Sequence, residues 1–228
     1  MPQPEIDHAK YMHQRALWRL KATKDLADAC PSALQAAQEI QVACSHIALS
    51  MSGARWGSVP GGRYLVDLFI SFLRTEVEVV DLALASELQD ATTLHRKQLE
   101  AVARLIELTN GVDVMSLIGK TPNLNVLKSK ARKLYGEYSE IAHSSHPAHG
   151  GLLGGGEAPS ELLTSVYPKY TENTIVLIHN AVAIFGEFGI WCVDFFEGRD
   201  IPFPSDELKR SMAFMMELIP DLEKLLAS

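Results

Sequence analysis

Arg132, Ser139 and His143 stand seven and four residues apart in a stretch of helical periodicity, so a guanidinium, a hydroxyl and an imidazole share the border of one helix face. Such a row suits acid–base chemistry beside an anion: the imidazole moves a proton and the guanidinium holds negative charge. Its ordinary alternative is the polar boundary between a buried and a solvated face. A second set overlaps the first. Glu140 and His143 form a Glu-x-x-His pair, His146 and His149 follow closely, and Glu5 and His8 repeat the spacing near the start. Paired Glu-x-x-His motifs with two further glutamates hold two metal ions in four-helix bundles. Glu5 and His8 fall in the first turn of a terminal helix, where fraying is expected. The metal expectation is therefore a single ion held by Glu140, His143, His146 and His149.

The elements that must position these residues are helices. Apolar residues recur with helical period near 5–29, 32–52, 62–87, 90–109, 122–143, 172–197 and 205–227. The breaks carry recognisable chemistry. Pro31 and Ser32 open the second helix, GSVPGG at 57–62 separates the second from the third, and Asn110-Gly111 stops the fourth. Thr121-Pro122 reads as an N-cap followed by proline at the first helical position. Ser205 caps the last helix, which Pro220 is expected to kink. Residues 144–171, rich in glycine, form one long irregular loop. The fold expected is all-α, an irregular up-down bundle of about seven helices in one domain, with 1–55 a helical hairpin, 60–200 the core bundle and 205–227 a C-terminal helix.

Helical spacing also sorts the charges. On the third helix Asp67, Ser71, Arg74, Glu78 and Asp81 share a narrow stripe, whereas Glu76 falls among Phe69, Phe72 and Val80. Glu76 is expected to snorkel or to pair with a cation; a buried one would have a raised pKa. On the fourth helix Arg96, Glu100, Arg104 and Glu107 line the side opposite the apolar face and read as a solvated ion-pair stripe. His95 lies inside the apolar arc, as a core histidine does. Gly119-Lys120-Thr121 has the ending of a phosphate-binding loop, but Val114 stands where that loop needs glycine, and no strand precedes it.

Across the 228 residues, 47% are hydrophobic, ample for a sizeable core. The net charge of −7 disfavours a surface that coats RNA or DNA with cations. Cys30, Cys44 and Cys192 are widely spaced within apolar stretches and read as buried free thiols. No secretory signal is recognisable at the start, and the apolar stretch from Ile175 to Val193 carries His179, Asn180 and Glu187, so it reads as a core helix rather than a membrane span. A cytoplasmic location is expected. The Met-rich last helix, with Met212, Met215 and Met216, suits either the core or a homo-oligomer surface.

Two segments together, ATTLHRKQLEAVARLIEL and LYGEYSEIAHSSHP, carry a resemblance. The first has Arg-x-x-x-Glu on an amphipathic helix; the second runs Tyr-x-x-x-Ser-x-x-x-His from Tyr135. Over about residues 60–200 the chain resembles a bacterial all-helical family of unknown function, distantly related to HEPN domains of toxin–antitoxin and phage-defence systems. The resemblance implies that the two helices are neighbours whose polar residues Arg96, Glu100, Tyr135, Ser139 and His143 meet. It implies a regulatory or interaction module with a protein partner, or alternatively a ribonuclease or nucleotide-processing enzyme using His143 with Arg96 or Arg132. HEPN ribonucleases place an arginine five to seven residues before the histidine on one helix; here Arg132 lies eleven residues upstream of His143. No cofactor other than a metal ion is implied.

Overall fold

The computed structural model describes residues 8–127, 131–142 and 167–226, with Glu140, Ala142 and Leu226 described by their backbone alone. The described residues form eight α-helices and one 3-10 turn, with no strand among them. They are α1 (His8–Ala29), α2 (Pro31–Met51), α3 (Arg63–Leu84), α4 (Leu88–Thr109), α5 (Val114–Leu117), the 3-10 turn Leu124–Val126, α6 (Ala131–Ala142), α7 (Glu172–Phe196) and α8 (Ser205–Leu226). The fold is an all-α bundle.

The helix ends follow from local chemistry. α2 starts on Pro31, whose missing N–H would have had no partner in a first turn. α4 ends as Asn110-Gly111 predicts: Gly111 takes a φ of +82°, and Val112 N–H donates to Glu107 O at 3.1 Å. α3 stops at Leu84, short of the expected 87, because Ser86 adopts the left-handed conformation at φ 56°. There Glu87 N–H bonds back to Leu82 O at 2.8 Å, and the Ser86 hydroxyl shares a buried hydrogen bond with Thr174 of α7 at 3.0 Å. Before α3, Gly61 sits at φ +73° and a Cβ there would lie 2.9 Å from Leu108 Cδ2. Gly61→Ala is accordingly expected to destabilise the fold by about 2 kcal/mol, from left-handed strain and overpacking together. Chemical denaturation checks this, and an unchanged midpoint contradicts it.

The fifth helix differs from expectation. Thr121-Pro122 starts no α-helix: residues 121–127 hold only the 3-10 turn, and the next described helix is α6 (Ala131–Ala142). Tertiary bonds override the local signal: Asn123 gives its N–H to Glu107 of α4 at 3.0 Å, and its side chain caps the 3-10 turn through Asn125 N at 3.1 Å. Pro220 lies inside α8, which runs on past it.

One continuous apolar core draws on every long helix. α4 packs against α3, α6 and α7, while α7 also contacts α2, α3 and α8. α7 is apolar around most of its circumference, and 72% of its most apolar window is buried. By length and composition it is able to cross a membrane; in this fold it is the core helix. Phe72 of α3 stacks on Phe188 of α7 with ring centres 3.9 Å apart, and Trp191 stacks on Phe195 at 5.0 Å. α8 approaches α7 closely at Gly189, where a Cβ would stand 2.5 Å from Met212 Sδ. Met215 is buried in this contact region and Met216 is exposed, so the methionines of α8 do not form one face. The three cysteines are buried and unpaired.

Candidate functional site

α4 and α6 run against each other, and the polar residues that each brings meet on that seam. The Tyr135 hydroxyl donates to Glu100 Oε1 at 2.9 Å and accepts from Arg96 Nη2 at 3.4 Å. Arg96 Nε reaches the same Glu100 oxygen at 3.3 Å, and its guanidinium carbon stands 5.4 Å from the centre of the Tyr135 ring. The Arg96 and Glu100 side chains are 25% and 31% exposed, so they face α6 with one edge still in water. Burial, reinforced by the bond to Glu100, raises the Tyr135 phenol above its ordinary pKa. The hydroxyl therefore keeps its proton and works as a donor, not as a base.

Ser139 lies one turn beyond Tyr135 and is half-buried. Arg132 does not join the group: it is exposed at the start of α6 and reaches back to Asn125 Oδ1 at 3.1 Å. The expected row is thus broken at its first member, whose guanidinium is turned to Asn125 instead. His143, His146, His149 and the Glu140 side chain lie outside the described residues, and the metal expectation lies there with them. Among the described residues no three His, Cys, Asp or Glu side chains gather as metal ligands would.

Beneath the seam lies a polar layer for which helical periodicity offered only partial signals. His95, fully buried on α4, sets Nδ1 3.3 Å from the Tyr138 hydroxyl, which accepts from Asn180 Nδ2 of α7 at 2.6 Å. Since Asn180 donates, the phenolic proton is left for His95 Nδ1, and the imidazole carries its own hydrogen on Nε2. That Nε2 meets no partner among the described residues. Burial pushes the His95 pKa down to about 3, so the ring is neutral, and pushes the Tyr138 phenol up. The core-histidine reading therefore holds for its position but only half for its hydrogen bonds.

Glu76 does not snorkel. It is 0% exposed on α3, its Oε2 accepts from Gln98 Nε2 of α4, and burial raises its pKa to about 8. Its place within the apolar arc was the only sign of this in the sequence; nothing marked Gln98 as its partner.

Arg104 and Glu107, expected on a solvated stripe, are also buried, at 4% and 8% exposure. Arg104 Nη1 bonds Glu107 Oε2 at 2.8 Å and its Nη2 donates to Lys120 O, while Glu107 Oε1 accepts from Asn123 N–H. The pair clamps residues 120–123 over the end of α4. Nearby, about three turns along α4 from Arg96, a cleft of about 340 Å³ is lined by Thr109, Asn110, Glu187, Trp191, Asp194 and Arg199 among others. It does not reach the Arg96 cluster.

Comparison with protein-family models, with curated proteins and with solved structures finds no match to this chain.

Proposed function

We propose that the protein is a non-catalytic helical module, a regulatory or interaction component of the kind that the resemblance to HEPN-related bundles implies for bacterial defence or toxin–antitoxin systems. Mutual satisfaction at the α4–α6 seam is the observation that supports this reading. Arg96 gives its hydrogen bonds to Glu100 and Tyr135, and Tyr135 gives its proton to Glu100. Hydrogen bonds of this kind between side chains of neighbouring helices lock the two helices together, which is what a structural network does. The second layer, His95–Tyr138–Asn180, ties the same two helices to α7.

The test separates a lock from a catalyst. Tyr135→Phe keeps the ring and removes the hydroxyl, and a loss of about 1 kcal/mol is expected. At this chain length, that amounts to a drop of about 2–4 °C in melting temperature, and Arg96→Ala is expected to fall in the same range. Neither wild type nor variant should change total RNA or labelled nucleotides on incubation. A product made by the wild type and missing with Arg96→Ala or His143→Ala overturns the proposal in favour of a ribonuclease or nucleotide-processing enzyme.

A further inference from the structure

Glu76 and Gln98 are joined by one hydrogen bond and left with two matching deficits. Gln98 Nε2 donates to Glu76 Oε2, yet Glu76 Oε1 and Gln98 Oε1 are both buried with no partner among the described residues. When Glu76 is ionised both orphaned atoms, one a carboxylate oxygen and the other an amide oxygen, are acceptors, and leaving two buried acceptors unpaired is unfavourable. One proton removes both deficits at once. On Glu76 Oε1 it turns that oxygen into a donor, and Gln98 Oε1, on the amide already bonded to Glu76, is a buried acceptor in need of one.

We propose that Glu76 and Gln98 form a neutral cyclic acid–amide pair in the core, with the Glu76 Oε1 hydroxyl donating to Gln98 Oε1, and that loss of this proton is a pH-sensitive release of the α3–α4 seam. Deprotonation places a charge and two unpaired acceptors inside the bundle, where Glu76 is 0% and Gln98 1% exposed. The surroundings favour the neutral pair. The Cys44 thiol of α2 lies within electrostatic reach of Glu76, the Cys192 thiol of α7 within reach of Cys44, and α4 offers the uncharged Gln98 with His95 three residues before it. Burial holds both thiols well above their ordinary pKa and holds His95 neutral. Of the cations that α1 brings toward α3, Arg15 is bound to Glu87 at 2.7 Å, and Arg19 lines a surface cleft with Glu78. Desolvation of Glu76 itself acts in the same direction, raising its pKa to about 8.

Glu76→Gln is the discriminating variant, because its amide N–H replaces the proposed O–H while removing the titration. Relative to Glu76→Gln, the folding constant of the wild type is expected to fall about tenfold per pH unit between the ordinary carboxyl value of 4.5 and about 8. A ratio that stays constant over that window overturns the proposal. The second measurement needs no variant: in protein carrying ¹³C-labelled glutamate carboxyls, one resonance should keep the shift of a protonated acid at pH 6.5. If every glutamate is ionised there, Glu76 is a carboxylate and the pair does not exist.

Discussion

The stability of the protein is expected to be flat between pH 4.5 and 6.5 and to fall on both sides. Two buried groups give this shape. The folded-state pKa of Glu76, about 8, lies above the ordinary 4.5, so folding takes up a proton between those values and the stabilising contribution, complete below pH 4.5, is lost as pH rises through 8. The folded-state pKa of His95, about 3, lies below the ordinary 6.5. Folding therefore expels its proton, and the neutral ring's contribution, complete above pH 6.5, is lost as pH falls toward 3. Between pH 4.5 and 6.5 the two slopes are equal and opposite and cancel. Outside that window one slope acts alone, at about 1.4 kcal/mol per pH unit. From pH 6.5 to 8 the net fall comes to roughly 2 kcal/mol, the part of the Glu76 loss that His95 no longer offsets. Urea unfolding at half-unit intervals from pH 4 to 9 measures the profile. A stability that climbs steadily from pH 6.5 to 8 removes the neutral Glu76 on which the upper limb depends.

Breaking the Arg104–Glu107 clamp carries the other large effect. Removing the guanidinium leaves Glu107 charged inside the fold, still bonded to Asn123 but without its cation. Arg104→Met is expected to destabilise by about 3–5 kcal/mol, the range for a buried pair that loses one partner. The double variant Arg104→Met, Glu107→Leu is expected to recover most of that loss, since two apolar side chains need no counter-charge. The single variant should also speed hydrogen exchange at Val112 and Asn123, whose amides bond to Glu107. A cost below about 1 kcal/mol for the single variant would mean that the pair behaves as a surface ion pair.

These two predictions mark the limit of what helical periodicity reveals. The long helices were legible because their apolar stripes repeat with the right period and their ends carry Pro31, the glycines before α3, and Asn110-Gly111. Residues 120–127 were not, because contacts of Lys120 and Asn123 with Arg104 and Glu107, which local propensity ignores, hold that segment. The same segment explains the misread charges. Arg96, Glu100, Arg104 and Glu107 make one stripe on α4, and no property of the stripe says that its second half is roofed by residues 120–123 while its first half meets α6. Glu76 and His95 could be singled out as polar residues on apolar faces. Their partners Gln98, Tyr138 and Asn180 come from three helices and become visible only once the bundle is assembled.

The apolar helix α7 has a consequence for how the chain reaches its native state. A segment with this length and hydropathy is prone to aggregate whenever it stands uncovered. Synthesis proceeds from the N-terminus, so α2, α3 and α4, which contact α7, leave the ribosome before it does, and α8 follows it. The order of the helices along the chain thus shortens the interval in which the greasiest part of the molecule has nothing to pack against.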